Sequence, residues 1–171
     1  MNEYVLDLMG AVLLWFLLLL GLETPAVTWN FDPQTDLMTH QVSGSLMGSD
    51  PWTHDLAFIR VHPGEEVPGP GPVQVCLTIS GPEFQHLHVQ KVELRIDGKK
   101  ESFSCQRQQQ QENGSLREEL RFEIPWTTLM RVVSARLITL RCDDSKQTIQ
   151  VNRSFLNTAQ FWAQIIEQSG R

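Results

Sequence analysis

Few residues in this chain could do chemistry, and they are scattered. His86 and His88 flank Leu87. On a strand alternate residues share a face, so two histidines at this spacing point the same way, as two metal ligands do. A site needs a third donor, and His40, His54 and His62 all lie beyond a Pro/Gly-rich stretch. The pair therefore reads as ordinary surface histidines, and no metal is expected. The three cysteines, Cys76, Cys105 and Cys142, match neither a zinc nor a redox spacing. Cys105 and Cys142 fall on the apolar faces of their predicted strands and Cys76 on a polar one. In an oxidising compartment Cys105 and Cys142 are the preferred disulfide, closing a loop that the chain-entropy model values at roughly 4 kcal/mol. The other reading is two small buried hydrophobes. No Gly-x-Ser-x-Gly elbow, phosphate-cradling glycine loop or haem-attachment pair is present. An enzyme of unfamiliar type would have to use His86, His88, Asp143 or Asp144. The expectation is a non-enzyme with no cofactor and no small-molecule substrate.

The stretch that organises the rest is Leu8 to Leu22, uncharged, with four consecutive leucines at Leu17, Leu18, Leu19 and Leu20. Counted from Tyr4, it rises about 28 Å as a helix, close to the hydrocarbon thickness of a bilayer. Leu8, Leu13, Trp15, Phe16 and the four leucines are the expected contacts with membrane lipid. A secretory signal would carry Lys or Arg ahead of the apolar run and a small-x-small cleavage site after it. Here Glu3 and Asp7 lead, and Pro25 follows. The flanks favour a retained single-span anchor over residues 1–23, with a cleaved signal as the alternative. The first Lys or Arg is Arg60, so charge gives no orientation. The long C-terminal part is assigned to the extracytoplasmic side because a short amino end commonly precedes one span.

Net charge is −6, and it is uneven: residues 1–59 hold seven acids and no Lys or Arg, and the rest is close to neutral. No clustered basic face points to nucleic acid. Residues 24–72 are rich in Pro, Gly, Ser, Thr and Asp, with no sustained period, and read as an extended linker or strap. Asp55 to Val61 is a short strand at most. Trp29, Phe31 and Trp52 would stand in water on such a strap. They fold back on the domain, sit at the membrane interface as aromatic anchors, which suits Trp29, or fill pockets on a partner.

From Val73 the pattern alternates, predicting strands at Val73 to Ser80, Lys91 to Ile96, Glu101 to Cys105 and Leu116 to Ile124. Further strands follow at Leu137 to Cys142 and Gln147 to Val151. Asp97-Gly98 signals a two-residue hairpin. The polar run Gln106 to Asn113 reads as a solvated loop, and Glu118 interrupts an otherwise apolar strand face. Thr127 to Ala135 is a short helix, and an amphipathic helix follows Ser154 as its N-cap. Residues 73–171 are thus an α+β domain with a mostly antiparallel sheet of about six strands, or a β-sandwich. Asn113 and Asn152 each open a glycosylation triplet. The composite expectation is a single-pass membrane protein whose extracytoplasmic domain serves other membrane protein subunits as an accessory or assembly partner. The alternative is a secreted or periplasmic binding domain released by cleavage.

Overall fold

Alternation of large apolar and polar residues forces each strand to bury one face, and here two sheets and two helices bury those faces against one another. The computed structural model describes residues 25–46, 51–64, 69–112 and 115–169. Among them are ten strands and two helices, in an α+β-like arrangement of mostly antiparallel sheets. The larger sheet contains β1 (Ala26–Asp32), β2 (Leu37–Leu46), β3 (Thr53–Pro63), β4 (Val73–Gly81), β7 (Gln106–Glu112) and β8 (Ser115–Ile124). Its order is β1-β2-β3-β4-β8-β7. The smaller sheet contains β5 (Lys91–Ile96), β6 (Lys99–Ser104), β9 (Ile138–Cys142) and β10 (Ile149–Gln150), in the order β10-β9-β5-β6. Helix α1 (Trp126–Ser134) follows β8, and α2 (Arg153–Ser169) closes the described chain.

The inward row of β4, Val73, Val75, Leu77 and Ile79, lies opposite Ile124, Phe122, Leu120 and Glu118 of β8. Leu56 and Phe58 of β3 continue that surface, and Leu94, Ile138 and Leu140 of the smaller sheet join the same core. Phe103 of β6 stacks on Phe122 of β8 with ring centres 5.8 Å apart. Toward β2 the cover is α2, whose Phe155 meets Phe58 edge to face at 5.2 Å. Phe155, Ala159, Trp162 and Ile166 are all fully buried, as their spacing of three and four residues predicts.

Three regions differ from expectation. Residues 24–72 are not a strap through their length: β1, β2 and β3 supply half of the larger sheet, because Val42, Leu46, Leu56 and Phe58 alternate strictly enough to bury one face. Proline and glycine mark the loops between these strands. Of the connector, residues 69–72 are held by Arg60, which donates to the carbonyls of Pro72 at 2.8 Å and Gly69 at 2.9 Å. The glutamine run is also a strand, β7, since edge pairing with β8 satisfies its backbone whatever its side chains are. The N-cap of α2 is Asn152: its Oδ1 accepts from the Phe155 amide at 2.8 Å and the Ser154 hydroxyl at 3.1 Å.

Asp97 and Gly98 turn β5 into β6 with φ of +48° and +84°. Both angles fit the type I′ hairpin that the sequence announces. Gly81 is required for another reason: a Cβ there would come within 2.2 Å of the Trp52 ring.

Candidate functional site

Strand β8 carries chemistry on both faces. Arg117, Glu119 and Arg121 alternate outward, and Glu118 turns inward toward the gap between the sheets.

Outward, the larger sheet forms a hollow of about 460 Å³. Gln41, Ser43 and Ser45 of β2, Asp55 of β3 and Cys76, Thr78 and Ser80 of β4 line it beside the β8 residues. Glu119 takes Arg117 at 2.9 Å and Arg121 at 2.6 Å, and Ser45 donates to Asp55 at 2.6 Å. Burial first, then the Glu119 charge, pushes the Cys76 thiol up, so Cys76 is a poor nucleophile. The hollow offers hydrogen-bond donors, acceptors and both signs of charge.

Inward, the loop between β4 and β5 is fastened at several points. Glu118, 2% exposed, accepts from the Gln85 amide at 2.9 Å, the His86 amide at 3.1 Å and Arg107 at 2.8 Å. Asp144, in the turn after β9, accepts from the His88 amide at 3.3 Å through Oδ2 and holds His86 Nδ1 at 2.9 Å from Oδ1. Asp143 accepts from the Gln90 amide at 3.1 Å. His86 is therefore no surface histidine: it is buried, and its neighbour two residues on, His88, is exposed. Cys142 lies in the same cluster. Burial, followed by the charge of Asp144, pushes its thiol up to about 12. Cysteine, histidine and aspartate are the constituents of a thiol hydrolase, but a sealed, fully protonated sulfur lacks the exposure and thiolate character that nucleophilic attack needs.

At the other end of the inward face, His40 Nε2 meets His62 Nε2 at 2.9 Å, under the edge of the Trp29 ring. Burial, with smaller contributions from His62 and Arg60, lowers the His40 pKa to about 4.

Of the residues singled out in the sequence, His86, Asp144 and Cys142 converge, and the aromatic residues do not. Trp29 is 41% exposed on edge strand β1, and Phe31 is half-buried on the same strand. Trp52 packs against the core with its Nε1 3.5 Å from the Glu83 carbonyl. Trp29 aligns through His40 with Arg60 of β3, eight residues from Trp52. At strand rise this separates the two indoles by roughly 26 Å. Cys105 and Cys142 are free thiols. Cys105 follows β6, its amide donating to the Gln90 carbonyl at 3.0 Å, and Cys142 ends β9. The expected anchor, Leu8 to Leu22, and Asn113 lie outside the described residues. The Asn152 amide is committed, its Nδ2 donating to the Ser45 carbonyl at 2.7 Å.

Sequence reasoning missed the hollow and the fastened loop, although both left traces. Arg117, Glu119 and Arg121 at i, i+2 and i+4 were legible as one strand face, and Glu118 as a charge in an apolar row. Comparison of the chain with known protein families, characterised proteins and solved structures returns no match.

Proposed function

We propose that the folded domain is a non-catalytic binding module, an accessory or assembly subunit of a larger membrane protein complex. The apolar segment within residues 1–23 holds it at the bilayer, with the domain on the extracytoplasmic side. Among the described residues no helix is long and apolar enough to cross a membrane, so this attachment rests on the leading segment. The observation that carries the reading is the outward hollow. Small-molecule pockets are mostly apolar with a few convergent polar groups; nine of the fifteen residues lining this one are Ser, Thr, Gln, Arg, Asp or Glu, beside Ala26, Leu56, Ala57 and Ile59. Such a lining suits an extended segment of a partner subunit, whose backbone amides and carbonyls pair with it and whose charges meet Arg117, Arg121, Glu119 and Asp55.

Gentle detergent extraction followed by sizing and mass identification of co-migrating chains tests the proposal. The wild-type chain is expected in a complex that the double substitution Arg117→Glu, Arg121→Glu releases without unfolding the domain. A chain that elutes alone, with a mature amino terminus near residue 24, overturns the membrane-subunit reading. A complex that survives the double substitution removes the hollow as the contact surface.

A further inference from the structure

His86, Cys142 and Asp144 come from three separate places: the loop between β4 and β5, the last residue of β9, and the turn that follows it. Their donor atoms nevertheless all lie within 4.8 Å of one another. His86 is 4% exposed and Cys142 2%, and the Asp144 side chain, 16% exposed, forms the cluster's opening to solvent. We propose that this cluster is a zinc site, with the His86 imidazole, the Cys142 thiolate and a carboxylate oxygen of Asp144 as its three protein ligands.

The donor set selects the metal. Ca²⁺ and Mg²⁺ take shells of oxygen, whereas Zn²⁺ accepts sulfur, nitrogen and oxygen together in a small tetrahedral shell. Bonds of about 2.0–2.3 Å put neighbouring tetrahedral donors about 3.3–3.8 Å apart. The observed donors bracket that spacing, with His86 Nδ1 2.9 Å from Asp144 Oδ1 and every pair inside 4.8 Å. Thiolate and carboxylate carry two negative charges, so a bound Zn²⁺ leaves the buried set neutral. Binding replaces the thiol proton: the S–H bond breaks, an S–Zn bond forms, and one proton leaves to solvent.

The supports around the three residues are those of a held ligand set. Asp144 spends Oδ2 on the His88 amide, leaving Oδ1 turned to His86, and Glu118 fixes the backbone of His86 from outside the cluster. Hydrogen-bonded carboxylates and oriented imidazoles of this kind are what tune metal ligands. A second observation points the same way. His54 is 1% exposed, and among the described residues its Nδ1 has no hydrogen-bond partner. It occupies the inward row beyond Ile79 from Glu118, whose carboxylate holds the His86 amide. Two buried imidazoles, a buried thiol and a carboxylate at one end of a core is an expensive grouping unless something is bound among them.

The test uses the tag-free full chain in detergent, stripped with a chelator and titrated first with Co²⁺ and then with Zn²⁺. One Co²⁺ per chain is expected, with a thiolate-to-cobalt charge-transfer band that Zn²⁺ abolishes. Cys142→Ser loses the band, and His86→Gln and Asp144→Asn each weaken binding at least about tenfold. Cys76→Ser, on the opposite face of the larger sheet, keeps both band and affinity. Zinc raises the thermal midpoint of the wild type and not that of His86→Gln. A wild-type chain that shows no stoichiometric Co²⁺ and no thiolate band overturns the proposal, as does unchanged affinity in His86→Gln and Asp144→Asn.

Discussion

Glu118 and Glu119 are neighbours on one strand, both almost sealed from solvent at 2% and 6% exposed, yet they do opposite work. Glu119 faces the hollow between Arg117 and Arg121, which share its strand face by alternation and are 44% and 40% exposed. Its partners are local, and they can follow it into water. Glu118 faces the inter-sheet gap and binds two backbone amides some thirty residues away, as well as Arg107 on the neighbouring strand. Its partners are fixed and cannot be rehydrated without opening the fold. An identical side chain is thus a surface recognition element on one face and a fastener on the other, and the sheet's pleat decides which.

The comparison breaks most visibly at Glu118. Replacing it by alanine strands two amides and a guanidinium in a buried setting, and the domain should lose about 3–5 kcal/mol in urea unfolding. An effect no larger than that of an exposed pair would dissolve the distinction.

His40 asks whether other inward polar groups behave in the same way. Its pKa falls from 6.5 to about 4 in the fold because burial, then His62 and Arg60, disfavour the charged ring. The unfolded chain therefore binds the proton first as pH drops. The stabilisation from neutral His40 is complete above 6.5, declines by up to about 1.4 kcal/mol per pH unit, and is gone once pH passes below the folded value. Denaturant midpoints measured across this window should slope for the wild type and flatten for His40→Gln.

Glu119→Gln sharpens the other side of the contrast. Because its two arginines remain hydrated, stability should drop by only about 1 kcal/mol. The loss should appear instead in co-migration with the partner. A Glu119→Gln domain as unstable as Glu118→Ala would show the hollow to be structural.

Asn152 supplies the smallest test, a fastener of purely local reach. Removing the α2 cap with Asn152→Ala should cost about 1 kcal/mol by thermal unfolding. A larger loss would credit the bond from its Nδ2 to the Ser45 carbonyl.

The strands with one apolar face, β4, β5, β8 and β9, and both helices were legible in the sequence because period two and period 3.6 are read from neighbours along the chain. β1 and β7 were not, since edge strands are held by backbone pairing that leaves side chains unconstrained. β2 and β3 were hidden by the prolines and glycines of the loops around them. For the site, Arg117, Glu119 and Arg121 were visible as an outward set, though not the concavity they border. His86 was read as a surface residue because its partners come from afar: Glu118 is 32 positions away and Asp144 is 58.

By itself the sequence determined the alternation of faces, the Asp97-Gly98 turn, the amphipathic stripe of α2 and the apolar character of its leading segment. Each of these depends on interactions within a few residues. The tertiary structure alone decided that Cys142, Asp144 and His86 bring their donor atoms within 4.8 Å of one another, and that Glu118 points in where Glu119 points out onto a hollow. Those are consequences of strand order and sheet packing, which bring distant residues together at a separation no local pattern encodes.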